Sequence, residues 1–116
     1  MGGHYLEDDM LEQPDNWVVL KMNGPQPCYK VLAGWSGGYL TGDEWRLNSG
    51  IVKVDEEEDH FLFYGTSGSC YQCAKGSYGL RMNNAYIYDK MKDKFGDAVE
   101  LLDEDTDWSK TDWLIS

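Results

Sequence analysis

The stretch Asn16-Trp17-Val18-Val19-Leu20-Lys21-Met22, followed by Asn23-Gly24, decides the fold. Its β-branched and aromatic residues suit a strand, and Asn-Gly is a tight-turn signal. Pro25 and Pro27 exclude helix just beyond it. Tyr29 to Trp35 is again strand-like, and its centre, Val31-Leu32-Ala33, has no polar face, so burial on both sides is expected.

Working outward, Ser36 to Gly42 is Gly-rich around Tyr39 and Leu40, a long loop or a bent strand. Trp45 to Val54 reads as one strand with a bulge or kink at Asn48-Ser49-Gly50. The acidic run Asp55 to Asp59 turns into a strand His60 to Tyr64, and Gly65-Thr-Ser-Gly68 turns into a strand Ser69 to Ala74. Five short strands with tight connections are the signature of a small antiparallel barrel or rolled sheet, and a five-stranded barrel over residues 16–75 is the expectation.

The period changes after that. From Asn84 the apolar positions Tyr88, Met91, Phe95, Ala98 or Val99, and Leu102 fall three or four apart, predicting a helix over residues 83–103 with Asn83 or Asn84 as N-cap. Gly96 costs about 1 kcal/mol relative to Ala inside that pattern and marks a point where it can break. Residues 1–15 predict an N-terminal arm or short helix with Leu6, Met10 and Leu11 on one side, stopped by Pro14. Residues 104–116 form an acidic tail in which Trp108, Trp113, Leu114 and Ile115 need somewhere to dock. The whole is expected to be a single domain over residues 1–116, mainly β with flanking helices.

The chain has 116 residues and a net charge of −11, and 41% of its residues are hydrophobic, enough for one core. The charge is segregated. Both ends and the run Asp55 to Asp59 carry the negative excess, while the segments around Lys21, Lys30, Arg46 and Lys53 and around Lys75, Arg81, Lys90, Lys92 and Lys94 are mildly basic. No apolar run is long enough to cross a bilayer, and Met1-Gly2-Gly3-His4 has no secretory character. A soluble, cytoplasmic domain without membrane contact is the expectation.

Cys70-x-x-Cys73, with Cys28 and His60, is the one set that could hold zinc. A strand over residues 69–74 would, however, point Cys70 and Cys73 to opposite faces. Three cysteines make no disulfide framework, so no metal, no cofactor and reduced thiols are expected. Nucleophile elbows, phosphate loops and metalloprotease helices have no counterpart in the sequence, and His60 is its one histidine beyond the first few residues. The expectation is a protein that is not an enzyme. Trp35, Tyr39, Trp45, Tyr64, Tyr71 and Tyr78 alternate with glycines and bases, which suits core packing, base stacking or sugar binding alike.

Residues 17–74 resemble an Sm/LSm-type small barrel. Leu20-Lys21 before Asn23-Gly24, Leu32-Ala33-Gly34-Trp35 and Leu47-Asn48 match the family's first motif, and Phe61-Leu62-Phe63-Tyr64-Gly65-Thr66 followed by Ser69 to Ala74 echoes its second. Tyr64 stands where the family has Arg, and Ser36 to Arg46 is longer than the family's loop. The acidic, Gly- and Trp-rich style is also similar to that of small phage proteins. The resemblance implies an Sm/SH3-like barrel, a cyclic homo-oligomer joined through strand edges, and binding of single-stranded RNA or DNA. Carried over to this chain, Asn48 and Gly65 would meet bases and Tyr64 or Trp45 would stack. Arg46, Lys75 and Arg81 would meet phosphates. The charge pattern supports a second expectation: an acidic protein-interaction module, such as a viral modulator or nucleic-acid mimic, that presents Asp55 to Asp59 and the tail to a basic partner.

Overall fold

In the computed structural model, which describes residues 11–36, 44–111 and 113, the first hairpin forms as the sequence dictates. Strand β2 (Asn16–Met22) pairs antiparallel with β3 (Cys28–Trp35), from Asn16 opposite Gly34 to Met22 opposite Cys28. Successive side chains of a strand point to opposite faces, and both faces here are covered. Trp17, Val19, Val31 and Ala33 enter one apolar cluster, and Val18, Leu20 and Leu32 enter another.

The five-stranded barrel is not what forms. The described residues make eight strands in two four-stranded sheets, neither closed. One sheet runs β4 (Glu44–Leu47), β3, β2, β8 (Val99–Leu101). The other runs β1 (Leu11–Glu12), β7 (Cys70–Ala74), β6 (His60–Gly65), β5 (Ile51–Glu56). Two causes are visible. The segment expected as one kinked strand, Trp45 to Val54, is cut at Asn48-Ser49-Gly50 into β4, which pairs with β3, and β5, which pairs with β6. At this corner Asn48 imitates a ladder residue. Its N–H donates to the Val31 carbonyl at 3.0 Å, and its Oδ1 accepts from the Val31 N–H at 2.9 Å. Gly50 then turns the chain at φ 140°, a left-handed value that disfavours a side chain.

The second cause lies at the edges. Closing the cylinder would require β2 to meet β7, but each is already capped by a short strand: β2 by antiparallel β8, β7 by parallel β1. Between β2 and β7's continuation only the isolated bridge Trp17–Tyr78 remains. An unpaired strand edge needs covering, and pieces from the chain's two ends do the covering.

The helical expectations change accordingly. Helix α1 (Met82–Phe95) stops at Gly96, whose φ of 59° suits glycine, and a 3₁₀ turn (Gly96–Ala98) leads directly into β8. The helix therefore does not run to residue 103. Its N-cap is Arg81, and Asn84 instead reaches back so that its Oδ1 accepts the Arg81 N–H at 2.9 Å. The short N-terminal helix is overturned where it is described, since Leu11–Glu12 is a strand. Residues 1–10 and the Gly-rich segment 37–43, with Tyr39 and Leu40, lie outside the described residues, as do Leu114 and Ile115. No helix among the described residues is long and apolar enough to cross a membrane.

The layers follow from the alternation in β2 and β3. Between the two sheets sit Trp17, Val19, Val31, Ala33, Ile51, Phe63, Tyr71 and Cys73, joined by Trp108 and Trp113 of the tail. On the other face of β2–β3, α1 packs Ile87 with Tyr88 and Met91 against Val18, Leu20, Leu32 and Val99. The tail tryptophans thus dock inside the sandwich. Trp108 lies within 6.0 Å of both Trp17 and Phe63, and Trp113 packs edge-on against Tyr29 at 5.1 Å.

Tyr78 ties these layers together. Its hydroxyl accepts from the Val19 N–H at 3.1 Å and donates to the Leu102 carbonyl, continuing the β2–β8 ladder by one side chain. Burial, which outweighs the opposing Val19 hydrogen bond, together with Asp103 and Glu104 pushes its phenol up to about 12. A phenol whose folded pKa exceeds its ordinary value of 10.0 stabilises the fold below pH 10, and that contribution is lost as pH rises towards about 12. Urea titrations at rising pH are expected to show stability falling through this window. Tyr78→Phe should flatten the fall while costing about 1–3 kcal/mol at neutral pH, because two backbone groups lose their partner. An unchanged alkaline slope in the variant would assign the loss to other groups.

Candidate functional site

The residues expected to bind nucleic acid are distributed over four places. Arg46 and Asn48 border one cavity of about 420 Å³ with Glu12, Leu47, Ser49, Ser67, Ser69 and Tyr71, at the corner where the chain changes sheets. Gly65 belongs to the same corner: a Cβ on it would stand 2.9 Å from Ser49 Oγ and 3.4 Å from Asn48 Nδ2. Trp45, beside Arg46, is 40% exposed. Asn48 itself is buried, with its oxygen committed to Val31. Arg46 approaches Glu12 at 3.8 Å.

Tyr64 is elsewhere. It pairs with Lys53 and Cys70 across β6, with the Lys53 ammonium 4.7 Å from its ring centroid. Lys75 follows β7 and bonds Glu56, and Arg81 caps α1 on the far side of the other sheet. The structure thus brings together Arg46, Asn48 and Gly65 with Trp45 as neighbour, and separates Tyr64, Lys75 and Arg81 from them.

The zinc set also disperses. Cys70 and Cys73 both lie in β7, and Cys73 points into the sandwich core whereas Cys70 does not. Cys28 opens β3, and His60 opens β6 with its Nδ1 2.7 Å from Asp59 Oδ1. Among the described residues no three His, Cys, Asp or Glu side chains converge on one point. Burial pushes the Cys73 thiol well up and the Cys70 thiol up as well, which disfavours the reactive thiolate at both.

A second site emerges that the linear sequence hid. A cavity of about 210 Å³ opens at the end of the sandwich, lined by Trp17, Glu56, Phe61, Lys75, Tyr78, Glu104, Thr106 and Trp108. Glu56, the last residue of β5, belongs to the acidic run Asp55 to Asp59, and Glu104 to the acidic tail, so the two runs meet across this opening. The tail is led there by β8 and held by Trp108, whose 3₁₀ turn is capped by Asp107: its Oδ1 accepts the Ser109 N–H at 3.2 Å. The hydrogen bonds from Ser109 are the main reason the Asp107 carboxyl titrates low, and the bond to His60 does the same for Asp59. Glu56 and Glu104 line the opening itself, and their runs supply Asp55, Glu57, Glu58, Asp59, Asp103, Asp105 and Asp107 as chain neighbours; lysines lie beside three of these carboxylates, Lys53 by Asp55, Lys75 by Glu56 and Lys110 by Asp107.

Trp17 forms the aromatic hub of this place. Its ring centroid lies 4.7 Å from Tyr78, 6.0 Å from Trp108 and 6.2 Å from Phe61. The Lys75 ammonium sits 2.8 Å from Glu56 Oε2 and 5.1 Å from the Phe61 ring centroid, while its backbone N–H is fixed by the Asp59 carbonyl at 3.0 Å. Charge segregation in the sequence signals each acidic run separately. Their adjacency, and the part played by Trp17, Phe61 and Trp108, depends on where β8 carries the tail.

Set against known proteins, the chain matches no protein-family model, no curated protein and no solved structure.

Proposed function

We propose that this chain is a non-enzymatic binding module whose acidic end engages a basic partner. One observation carries the reading. Two acidic runs more than forty positions apart in the sequence converge on a single opening, with Glu56 on one side and Glu104 on the other. Carboxylates at one end of a low-dielectric body focus a negative field there, which attracts cationic partners and weakens with salt. The same surface repels a phosphate backbone. Lys75, one of the bases expected to meet phosphate, is instead engaged by Glu56.

The test is fluorescence anisotropy with a labelled peptide of alternating Lys and Ala. Binding is expected at low salt and should weaken steeply as salt is raised. Replacing Glu56, Glu57 and Glu58 together by Gln should cost roughly tenfold in affinity, since rim charges act collectively. No binding at low salt would overturn the proposal.

A second reading is favoured by the corner cavity, where Arg46, three serines and exposed Trp45 could hold an unpaired base and its phosphate. An oligo-U or oligo-dT probe in the same assay separates the two. Retention that is lost with Arg46→Ala and unaffected by the Glu-to-Gln changes would support nucleic acid instead.

A further inference from the structure

Resting on the acidic-module reading, we propose that the aromatic cavity at its centre is a receptor for one alkylammonium group, a lysine side chain of the basic partner, and that Lys75 is its resident competitor. Acidic side chains alone would attract any cation diffusely. This cavity adds the half-buried rings of Phe61 and Tyr78 in front of the buried Trp17 and Trp108, and an ammonium over an aromatic face is attracted by the ring's quadrupole.

The chain already demonstrates the chemistry. The Lys75 ammonium is held between a carboxylate and a ring, at 2.8 Å and 5.1 Å. Across the opening Glu104 has no ion-pair partner among the described residues, which leaves a second carboxylate uncommitted. At about 210 Å³ the space is smaller than the 300–1,000 Å³ or so that drug-sized ligands occupy, and it suits a single side chain. Lys75 is about one-third exposed and can swing out, since its anchor is its backbone N–H. Its departure would leave Glu56 and Phe61 to an incoming lysine.

The experiment follows the indole resonances of the isotope-labelled full chain by NMR while the Lys-Ala peptide is added, with the same peptide acetylated on every lysine as control. Acetylation keeps the length and removes the charge. The expected result is a shift of the Trp108 resonance with the charged peptide only. Lys75→Ala should tighten binding about 3–10-fold, in line with the worth of a cation–aromatic contact plus a freed carboxylate. Lys90→Ala, which removes the same charge from the exposed face of α1, should change binding less than twofold. Glu104→Gln should weaken it about 3–10-fold by the same reckoning.

The outcomes separate the two ideas. Peptide binding with Trp108 unmoved, or Lys75→Ala no better than Lys90→Ala, overturns the lysine receptor and leaves the acidic module standing. Failure of the charged peptide to bind at low salt overturns both.

Discussion

Trp17→Ala is expected to cost about 3–5 kcal/mol of folding stability, read as a lowered urea midpoint. Trp17 is 1% exposed and its ring touches Phe61, Phe63, Tyr78 and Trp108, which come from β6, the segment after β7, and the tail. Removing it therefore empties the junction where both sheets and the C-terminal segment meet. Part of the cost is polar. The indole N–H donates to the Ala74 carbonyl at 2.8 Å, and truncation leaves that carbonyl without it. Against a typical domain stability of roughly 5–15 kcal/mol this is a large fraction. Trp17→Phe keeps most of the packing and should cost clearly less. A loss below about 1 kcal/mol in the alanine variant would mean that the sheets are held together elsewhere.

The second large effect is expected from the smallest change, Gly34→Ala. A Cβ at this position in β3 would lie 2.2 Å from Asn83 Oδ1 and 2.5 Å from its Cγ. Asn83 is buried and cannot simply swing aside, because its Nδ2 donates to Asn16 Oδ1 at 2.7 Å. Asn16 in turn donates to Asn84 Oδ1 at 3.2 Å and to the Gly79 carbonyl at 3.1 Å, and Asn84 donates to the Leu32 carbonyl at 3.3 Å. The first turn of α1 is thus riveted to β2 and β3 through three asparagine amides, with Gly34 as the gap that lets them approach. Overpacking here and the loss of one buried hydrogen bond predict about 2–4 kcal/mol. Combining Gly34→Ala with Asn83→Ala removes the clash, so the double variant should be more stable than the sum of the singles by at least about 1 kcal/mol. Strict additivity would show that the close approach carries no energy.

Gly34 was legible in the sequence as part of Leu32-Ala33-Gly34-Trp35, and the resemblance to a small barrel explained it as a family motif. The structure gives it a local reason. The same is true of Asn48, expected to meet a base. Its amide oxygen substitutes for a strand carbonyl at the sheet-switching corner. Its position before Ser49-Gly50 marked a discontinuity, and the sequence could not say whether the chain would kink within one sheet or leave it for another.

Among the candidate sites, each acidic run was plain in the sequence and the opening between them was not. The corner gathers Arg46, Asn48 and Gly65 from the expected set, because β4 and β6 end there and β5 begins there. The resemblance groups Tyr64 with them by its place in a motif, and Lys75 and Arg81 join by residue type; neither carries information about which sheet face or which end a side chain reaches.

What the sequence determined by itself is what local chemistry controls. The apolar run Val31-Leu32-Ala33 required cover on both faces, and a strand over residues 69–74 forced Cys70 and Cys73 apart. The tertiary structure alone decided that Val99–Leu101 and Leu11–Glu12 would take the free edges of β2 and β7, and that the tail would deliver Glu104 and Trp108 to the mouth beside Glu56. The reason is competition. A strand edge offers the same backbone donors and acceptors to every segment that can reach it, and the winner is chosen by the packing of the whole chain, which no short window of sequence contains.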